Sequence, residues 1–447
     1  MKTFRIGGVH PAENKFSAAE PIKIAELPKI AVFPLGQHIG APAKAIVQKG
    51  DKVKVGQMIA EAGGFVSAPI FSSVSGTVQK IDAVTDASGY GKPAIFIEVE
   101  GDEWMEGIDR SDSLVTLSDR PDLTDKDIIE KIRNAGVVGM GGACFPCHVK
   151  LTPPPGSKPE WVIINAVECE PYLTADHRLM LEHADEILVG VSLLMKAVNV
   201  DKGYIAIENN KPDAIRLMTE KAKAYPNIEV VPLKVKYPQG GEKQLIDAVV
   251  GRQVPAPPAL PVSVGAIIQN VGTAFAVYQA VMKNKPLFER VVTVTGKSLA
   301  HPGNFLTRMG TPMSQLIDAC GGLPEDTGKV IGGGPMMGKA LLSTDVPVCK
   351  GSSGVLIMNG KEATRAEAEP CIRCAKCVGA CPMGLEPYLL SACAQQQMWD
   401  RLEQEDITSC IECGSCQFTC PSNRPLLDYI RLGKSTVMGI IRSRNAK

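Results

Sequence analysis

The chain has 447 residues, enough for two to four domains that each bury a core. Its 48 basic and 48 acidic residues cancel, so there is no electrostatic footprint for nucleic acid and no such partner is expected. Fourteen cysteines, with no basic segment leading into an apolar run at the start, point to a reducing cytosolic setting, and residues 1–10 read as the native start. No uncharged apolar run reaches the ~18 residues that span a bilayer; the best candidate, 187–200, is short and contains Lys196. A soluble or peripheral protein is expected.

In chain order, residues 22–100 alternate in short strands separated by Gly, Pro and Asp turns, as in a small β-barrel or sandwich. The hairpin around Gly50-Asp51 and Gly56-Gln57, followed by Gly76-Thr77-Val78, resembles half of a biotinyl/lipoyl carrier domain. The tip that would present the modified lysine reads Gly63-Gly64-Phe65-Val66-Ser67, without lysine, so a structural or docking role is expected. Thr124 to Asp127 fits a capping box opening a helix that closes at Ala135-Gly136. Then strands and helices alternate: strands at 161–165, 204–208 and 229–236, a long amphipathic helix over 174–198, and helices at 213–224, at 242–250 and from Val271. That alternation predicts a mainly parallel sheet covered on both faces, with ligands at the strand carboxyl ends. The proline-rich run 254–261 is a stiff loop. Beyond Pro286, strands near 291–296 and 330–334, a turn at 301–304 and a helix over 313–320 suggest a compact β-grasp insert. An Ala- and Glu-rich linker, 359–369, leads to a helical module and a helical tail over 426–442. Basic residues in that tail fit a solvated helix face better than a membrane face.

That last module holds the densest chemistry. Cys371-x2-Cys374-x2-Cys377-x3-Cys381-Pro382 is repeated as Cys410-x2-Cys413-x2-Cys416-x3-Cys420-Pro421. Each copy is the run of bacterial two-cluster ferredoxins, in which the fourth cysteine serves the other cluster. Cys371, Cys374, Cys377 and Cys420 are therefore expected to hold one [4Fe-4S] cluster, and Cys410, Cys413, Cys416 and Cys381 the second. Zinc knuckles pair two thiols and need neither a third cysteine nor a trailing Cys-Pro.

A second site is suggested by Gly139-Met140-Gly141-Gly142-Ala143-Cys144-Phe145-Pro146-Cys147-His148-Val149-Lys150. Its glycines let the backbone approach a phosphate that the lysine would neutralise. The run matches neither G-x-x-x-x-G-K-[ST] nor G-x-G-x-x-G, and by itself a tight turn explains it better. Asn165-Ala166-Val167-Glu168-Cys169-Glu170-Pro171 brings an amide and two carboxylates out of an apolar strand together, and buried acids of this kind need a partner or a task.

These two runs, with Tyr237-Pro238-Gln239-Gly240-Gly241-Glu242 and Ile268-Gln269-Asn270-Val271-Gly272-Thr273, occur in the order seen in the flavin- and NADH-binding subunit of respiratory complex I. Adding Gly7-Gly8-Val9-His10-Pro11-Ala12-Glu13-Asn14-Lys15 and the paired cysteine motifs, the chain resembles, end to end, the C subunits of Rnf electron-transport complexes. The resemblance implies a multidomain α/β protein. Its parts would be a carrier-like barrel-sandwich domain (1–110), a Rossmann-like FMN/NAD(H) domain (111–286), a soluble-ligand-binding β-grasp domain (287–358) and a helical two-cluster ferredoxin domain (359–447). It implies a peripheral subunit on the cytoplasmic face of a bacterial membrane that exchanges hydride with NAD(H) at FMN and passes single electrons through two [4Fe-4S] clusters. Partners would be other subunits of a complex that moves Na+ or H+, with ferredoxin met only through another subunit.

Carried over by motif, Gly139, Gly141, Gly142 and Lys150 would hold the FMN phosphate and ribityl chain, and Asn165, Glu168, Tyr237, Gly240, Gly241, Asn270 and Thr273 would line the rest. Phe145, Glu170 and Glu242 would face the nicotinamide nucleotide, the two glutamates standing as the catalytic candidates. Where complex I has Arg and Asp this chain has Met140 and Val167, and Cys144 and Cys147 replace the usual Gly and Thr. The resulting C-x2-C admits a redox or metal role as well as small-residue exchange in a turn. Electrons would run from NAD(H) to FMN, to the first cysteine set, to the second. Two other classes share features: a soluble NADH dehydrogenase or diaphorase subunit, and a cluster-only relay without a nucleotide site.

Overall fold

The computed structural model describes residues 1–445; the last two positions of the 359–447 domain lie outside the described residues. The centre of the molecule is a four-stranded, wholly parallel sheet built from Trp161–Asn165, Gly203–Glu208, Ile228–Leu233 and Ala266–Asn270. Numbered along the chain its spatial order is 3-2-1-4, so the winding direction reverses between the first and fourth strands. Each strand is an almost unbroken apolar run because both faces are covered. Alternate residues go to opposite cores: Val162 and Ile164 pack with the 184–197 and 271–282 helices, whereas Ile163 packs with Leu245 and Ile246 of Glu242–Val250.

Thr124 accepts from the Asp127 amide while Asp127 reaches back, closing the expected capping box of helix Asp125–Asn134. Ile128 and Ile132 of that helix join a core running from the barrel residues Phe33, Ile59 and Ile97 into the parallel-sheet domain. Barrel and flavin-type domain therefore share one hydrophobic core. The long helix expected over 174–198 is two helices, Ala175–Glu182 and Ala184–Ala197, broken at His183 (φ −133°). Apolar periodicity runs through that break because both pieces face the same core.

The barrel comprises the strands Ile30–Pro34, Gly91–Gly101, Ser75–Thr85 and Lys52–Val53 beside a small sheet of Lys44–Ala45, Met58–Glu61 and Ile70–Phe71. Ile22–Ile24, expected to begin this barrel, instead pairs in parallel with Gly303–Arg308 and edges the six-stranded sheet of the following domain. That sheet continues through Glu289–Thr295, Gly354–Asn359 and Thr327–Gly332, with helix Met313–Ala319 beside it. The cysteine module is helical, and Pro387–Gln395, Trp399–Gln404 and Leu426–Asn445 pack around Leu390, Leu402 and Ile430. Among the described residues no helix is long and apolar enough to cross a membrane.

Candidate functional site: a switch-point nucleotide site joined to two cysteine sets

Where the winding reverses, a crevice opens outside the carboxyl ends of the first and fourth strands. Asn165 and Asn270 end those strands in register. Asn270 caps helix Val271–Met282, its Oδ1 accepting from the Gly272 amide at 2.8 Å, and its Nδ2 donates to Asp176 at 2.7 Å. Asn165 Nδ2 donates to the carbonyl of Gly240 at 2.8 Å. The glycine turn sits over this crevice. Thr273 Oγ1 accepts from the Met140 amide at 3.0 Å and the Gly139 amide donates to the Phe145 carbonyl at 2.9 Å, so the ends of the turn are fixed while Gly141, Gly142 and Ala143 lie exposed. A Cβ on Gly141 would stand 2.8–2.9 Å from the Asn270 side chain, so only glycine allows this approach. Bare amides facing a crevice, beside a helix N-terminus, form a cradle that fits a phosphate-bearing cofactor.

Lys150, at the end of the short helix Cys147–Lys150, donates to Glu242 at 2.6 Å and to the Ile268 carbonyl at 3.2 Å. The lysine expected at the phosphate and the glutamate expected at the nicotinamide are thus partners in one half-buried ion pair at the rim. Cys147 lies under the turn and accepts from Gln269; Cys144 occupies a left-handed turn position (φ 55°). Burial pushes both thiols up, Cys147 to about 12, so they are held protonated and poorly nucleophilic.

Glu168 and Glu170 emerge from the same strand end with separate employments. Glu168 (φ 47°) turns its carboxylate onto the amides of Asp176 and His177, capping helix Ala175–Glu182. Glu170 accepts from the amides of Met336 and Met337 at 3.1 and 2.8 Å, across the boundary with the β-grasp sheet. A Cβ on Gly334 would stand 2.3 Å from the Glu170 carboxylate, which explains glycine at that position. Burial lifts Glu170 to about 7, opposed by those amides. Asp176 is lifted to about 7 by burial and by the charge of Glu168. The loop is stapled from the amino terminus: Lys15 Nζ donates to the carbonyls of Glu168, Glu170 and Leu173 at 2.6–2.9 Å, and burial lowers it to about 8.

The cysteine motifs repeat in backbone as well as sequence. Arg373 and Ala375 in the first copy, Glu412 and Gly414 in the second, all adopt positive φ, wrapping each chain segment around its thiols. Cys381 lies with Cys410, Cys413 and Cys416 around one small cavity, lined otherwise by apolar residues such as Leu390 and Ile430. Among the described residues no three Cys, His, Asp or Glu side chains converge on a single-ion point, and all fourteen cysteines are free. Four thiols around a volume fit an inorganic cube better than one tetrahedral ion. The amides of Leu385 and Glu412 donate to the sulfurs of Cys381 and Cys410 at 3.4 Å, as thiolate sulfurs need. Cys371 and Cys374 are exposed, and Cys377 and Cys420 half-buried.

The Cys381 set abuts the nucleotide domain: Tyr237 donates to the Cys413 carbonyl at 2.9 Å, and Gln244 to the Pro382 carbonyl at 3.1 Å. The expected order of flavin, Cys371 set, Cys381 set is therefore reversed in space, since it is the Cys381 set that contacts the nucleotide domain. Motif reading did not single out Asp176, Arg290 or Lys350. Arg290 comes from the β-grasp strand to donate to the Lys350 and Met140 carbonyls; Lys350 is fully buried and joins the Pro69 and Gly136 carbonyls. A lone basic residue in an apolar strand such as Arg290 was the one available signal.

A nucleotide crevice at a parallel-sheet switch point, wired to eight thiols in two sets, defines a flavin- and iron–sulfur-dependent electron-transfer protein. Family models match in sequence along the chain: RnfC barrel sandwich hybrid domain (2–102), Nuo51 FMN-binding domain (132–279), SLBB domain (291–340) and 4Fe-4S dicluster domain (363–421). The chain is 47% identical over 439 residues to the C subunit of the proton-translocating ferredoxin:NAD(+) oxidoreductase complex of Clostridium ljungdahlii, covering 97% of this chain and 94% of that one. It is 44% identical over 446 residues to the C subunit of the Na(+)-translocating complex of Acetobacterium woodii, covering 99% of both. The chain belongs to the family of C subunits of ion-translocating ferredoxin:NAD(+) oxidoreductase complexes. Its fold also resembles a chain of an air-oxidized NAD+-reducing [NiFe]-hydrogenase, with TM-score 0.51 and 18% identity, over 70% of this chain and 63% of that one.

Proposed function

We propose that this chain is the peripheral subunit through which a membrane ion-translocating complex exchanges electrons with NAD(H). FMN in the switch-point crevice supplies the change between two-electron and one-electron chemistry that nicotinamide and iron–sulfur partners require. Gly139, Gly141 and Gly142 would offer their backbone to the phosphate and ribityl chain, with Lys150 neutralising charge at the rim. Asn165, Gly240, Asn270 and Thr273 would fix the crevice walls, and Phe145, Glu170 and Glu242 would border the nicotinamide side. Glu168 would act by holding the helix that carries Asp176.

Cys381, Cys410, Cys413 and Cys416 would ligate the inner [4Fe-4S] cluster, and Cys371, Cys374, Cys377 and Cys420 the outer one. The observation that carries this reading is contiguity: the loop Tyr237–Gly241 touches both the crevice, through Asn165, and the inner cysteine cavity, through Cys413. The inner thiols are shielded by apolar packing and the outer set faces solvent, so a partner would meet the outer set first. The partners would be other subunits of the complex, at its cytoplasmic face, with ferredoxin met through one of them and Na+ or H+ as the coupling ion.

The test is anaerobic addition of NADH to purified, reconstituted chain, followed by absorbance and by EPR. Bleaching of both flavin and cluster bands is expected; a chain that holds flavin and iron yet shows no bleaching would overturn the proposal.

A further inference from the structure

Tyr237 is the largest fully buried side chain of the molecule, and it stands between the two sites. Its backbone pairs with Val9 of the amino-terminal segment, and its ring packs with Ala380, Cys413 and Met336. Its hydroxyl lies 2.9 Å from the Cys413 carbonyl and 3.4 Å from a carboxylate oxygen of Glu170. A phenol has one proton to give, and the shorter, buried contact takes it. The hydroxyl therefore ties the backbone of a cluster-ligand residue to the loop that borders the flavin crevice. Among the described residues, the other hydrogen bonds across the same boundary run from Gly8 to Ala380 and from Gln244 to Pro382 and Met383, and none reaches a ligand residue.

Resting on the function proposed above, we infer that Tyr237 is a positioning residue for electron exchange between the flavin crevice and the inner cysteine set, rather than a contact to the flavin itself. The exchange moves one electron at a time between the two centres, in either direction, and forms or breaks no bond. A hydroxyl dipole aimed at the Cys413 carbonyl offsets that carbonyl's negative end beside the cluster and so favours the state with one more electron. The same bond holds the ligand loop at a fixed distance from the crevice.

The experiment compares the full-length, cofactor-loaded chain with Tyr237→Phe, which keeps the ring and removes the hydroxyl. Iron and FMN content are measured, the inner cluster's midpoint is titrated by EPR, and flavin-to-cluster transfer is followed by stopped flow with NADH. Tyr237→Phe should hold the same iron and FMN, move the inner midpoint to lower potential, leave the outer midpoint in place, and slow transfer roughly five-fold, as expected for one lost hydrogen bond of ~1 kcal/mol. Gln244→Ala is the control for loosening of the boundary, since it removes the Pro382 contact without touching a ligand residue. An unchanged inner midpoint in Tyr237→Phe, or the same shift in both variants, overturns the inference. If Tyr237→Phe loses its inner cluster, 3,5-difluorotyrosine at position 237 decides: a stronger donor should raise the midpoint, and no shift overturns the inference. Wild-type chain lacking FMN or cluster signals would instead count against the proposed function.

Discussion

Asn165 and Asn270 occupy one rung of two adjacent parallel strands, and Asn270 Nδ2 lies 3.4 Å from the carbonyl of Asn165. Between them these two amides hold the Gly240 carbonyl, the first turn of a helix and the carboxyl group of Asp176. The crevice is thus shaped by residues whose hydrogen bonds are already committed, which is how a site is kept open before its cofactor arrives.

Asn270→Ala should destabilise the chain, because loss of the helix cap costs ~1 kcal/mol and Asp176 loses its donor in a buried setting. A lowered unfolding midpoint together with reduced FMN retention is expected from calorimetry and flavin extraction. Asn270→Asp keeps the cap but faces Asp176 with a like charge, and should retain even less FMN at pH 8. Full retention in both variants would contradict this role.

Glu170, Asp176 and Glu208 are each raised by burial to about 7. Between roughly pH 4.5 and 7 the folded chain holds protons that the unfolded chain has released, so stability falls as pH rises through that window. Glu170, raised from 4.5 to about 7, accounts for a cost on the order of 3 kcal/mol above pH 7. Denaturation of cofactor-free chain at pH 5, 6, 7 and 8 should show this fall, and Glu170→Gln should flatten it. An equally steep fall in the variant would remove Glu170 as a source.

The proposed crossed ligation makes Cys381→Ser and Cys371→Ser distinguishable. Cys381→Ser should disturb the signal of the buried set while sparing that of the exposed set, and Cys371→Ser the reverse. Each should retain about half of the wild-type iron, as two independent four-iron clusters require. Cys420→Ser should group with Cys371→Ser despite lying in the second motif; grouping with Cys410→Ser would break the crossed assignment.

Lys150→Met removes the cation at the rim and leaves Glu242 without its partner. A hydrogen bond to a charged group is worth ~1.5–3 kcal/mol, so FMN should bind about ten-fold more weakly in a fluorescence titration. Unchanged affinity would place Lys150 outside the phosphate contacts and leave it a partner of Glu242 alone.

Much of this was legible along the chain because it is local. The alternation of apolar strands and helices, the Thr124 to Asp127 box and the Cys-x2-Cys-x2-Cys-x3-Cys-Pro spacing are each read within a dozen residues or so, and the structure has the parallel sheet and the capped helix. Periodicity could not show the break at His183, since two helices facing one core leave the same pattern as one. Nor could it place Ile22–Ile24, which pairs with a strand about 280 residues away.

By itself, then, the sequence determined the chemistry: two thiol sets, a glycine turn, and amides and acids at strand ends, all carried by spacing that covalent and helical geometry dictates. Only the tertiary structure decided how these parts are employed. Lys150 and Glu242 are partners, Glu168 caps a helix, Glu170 is gripped by the β-grasp domain, and the Cys381 set rather than the Cys371 set lies against the nucleotide domain. The physical reason is that burial forces every polar group to find a partner, and the partner available depends on which segments pack together, a property that no stretch of chain carries alone.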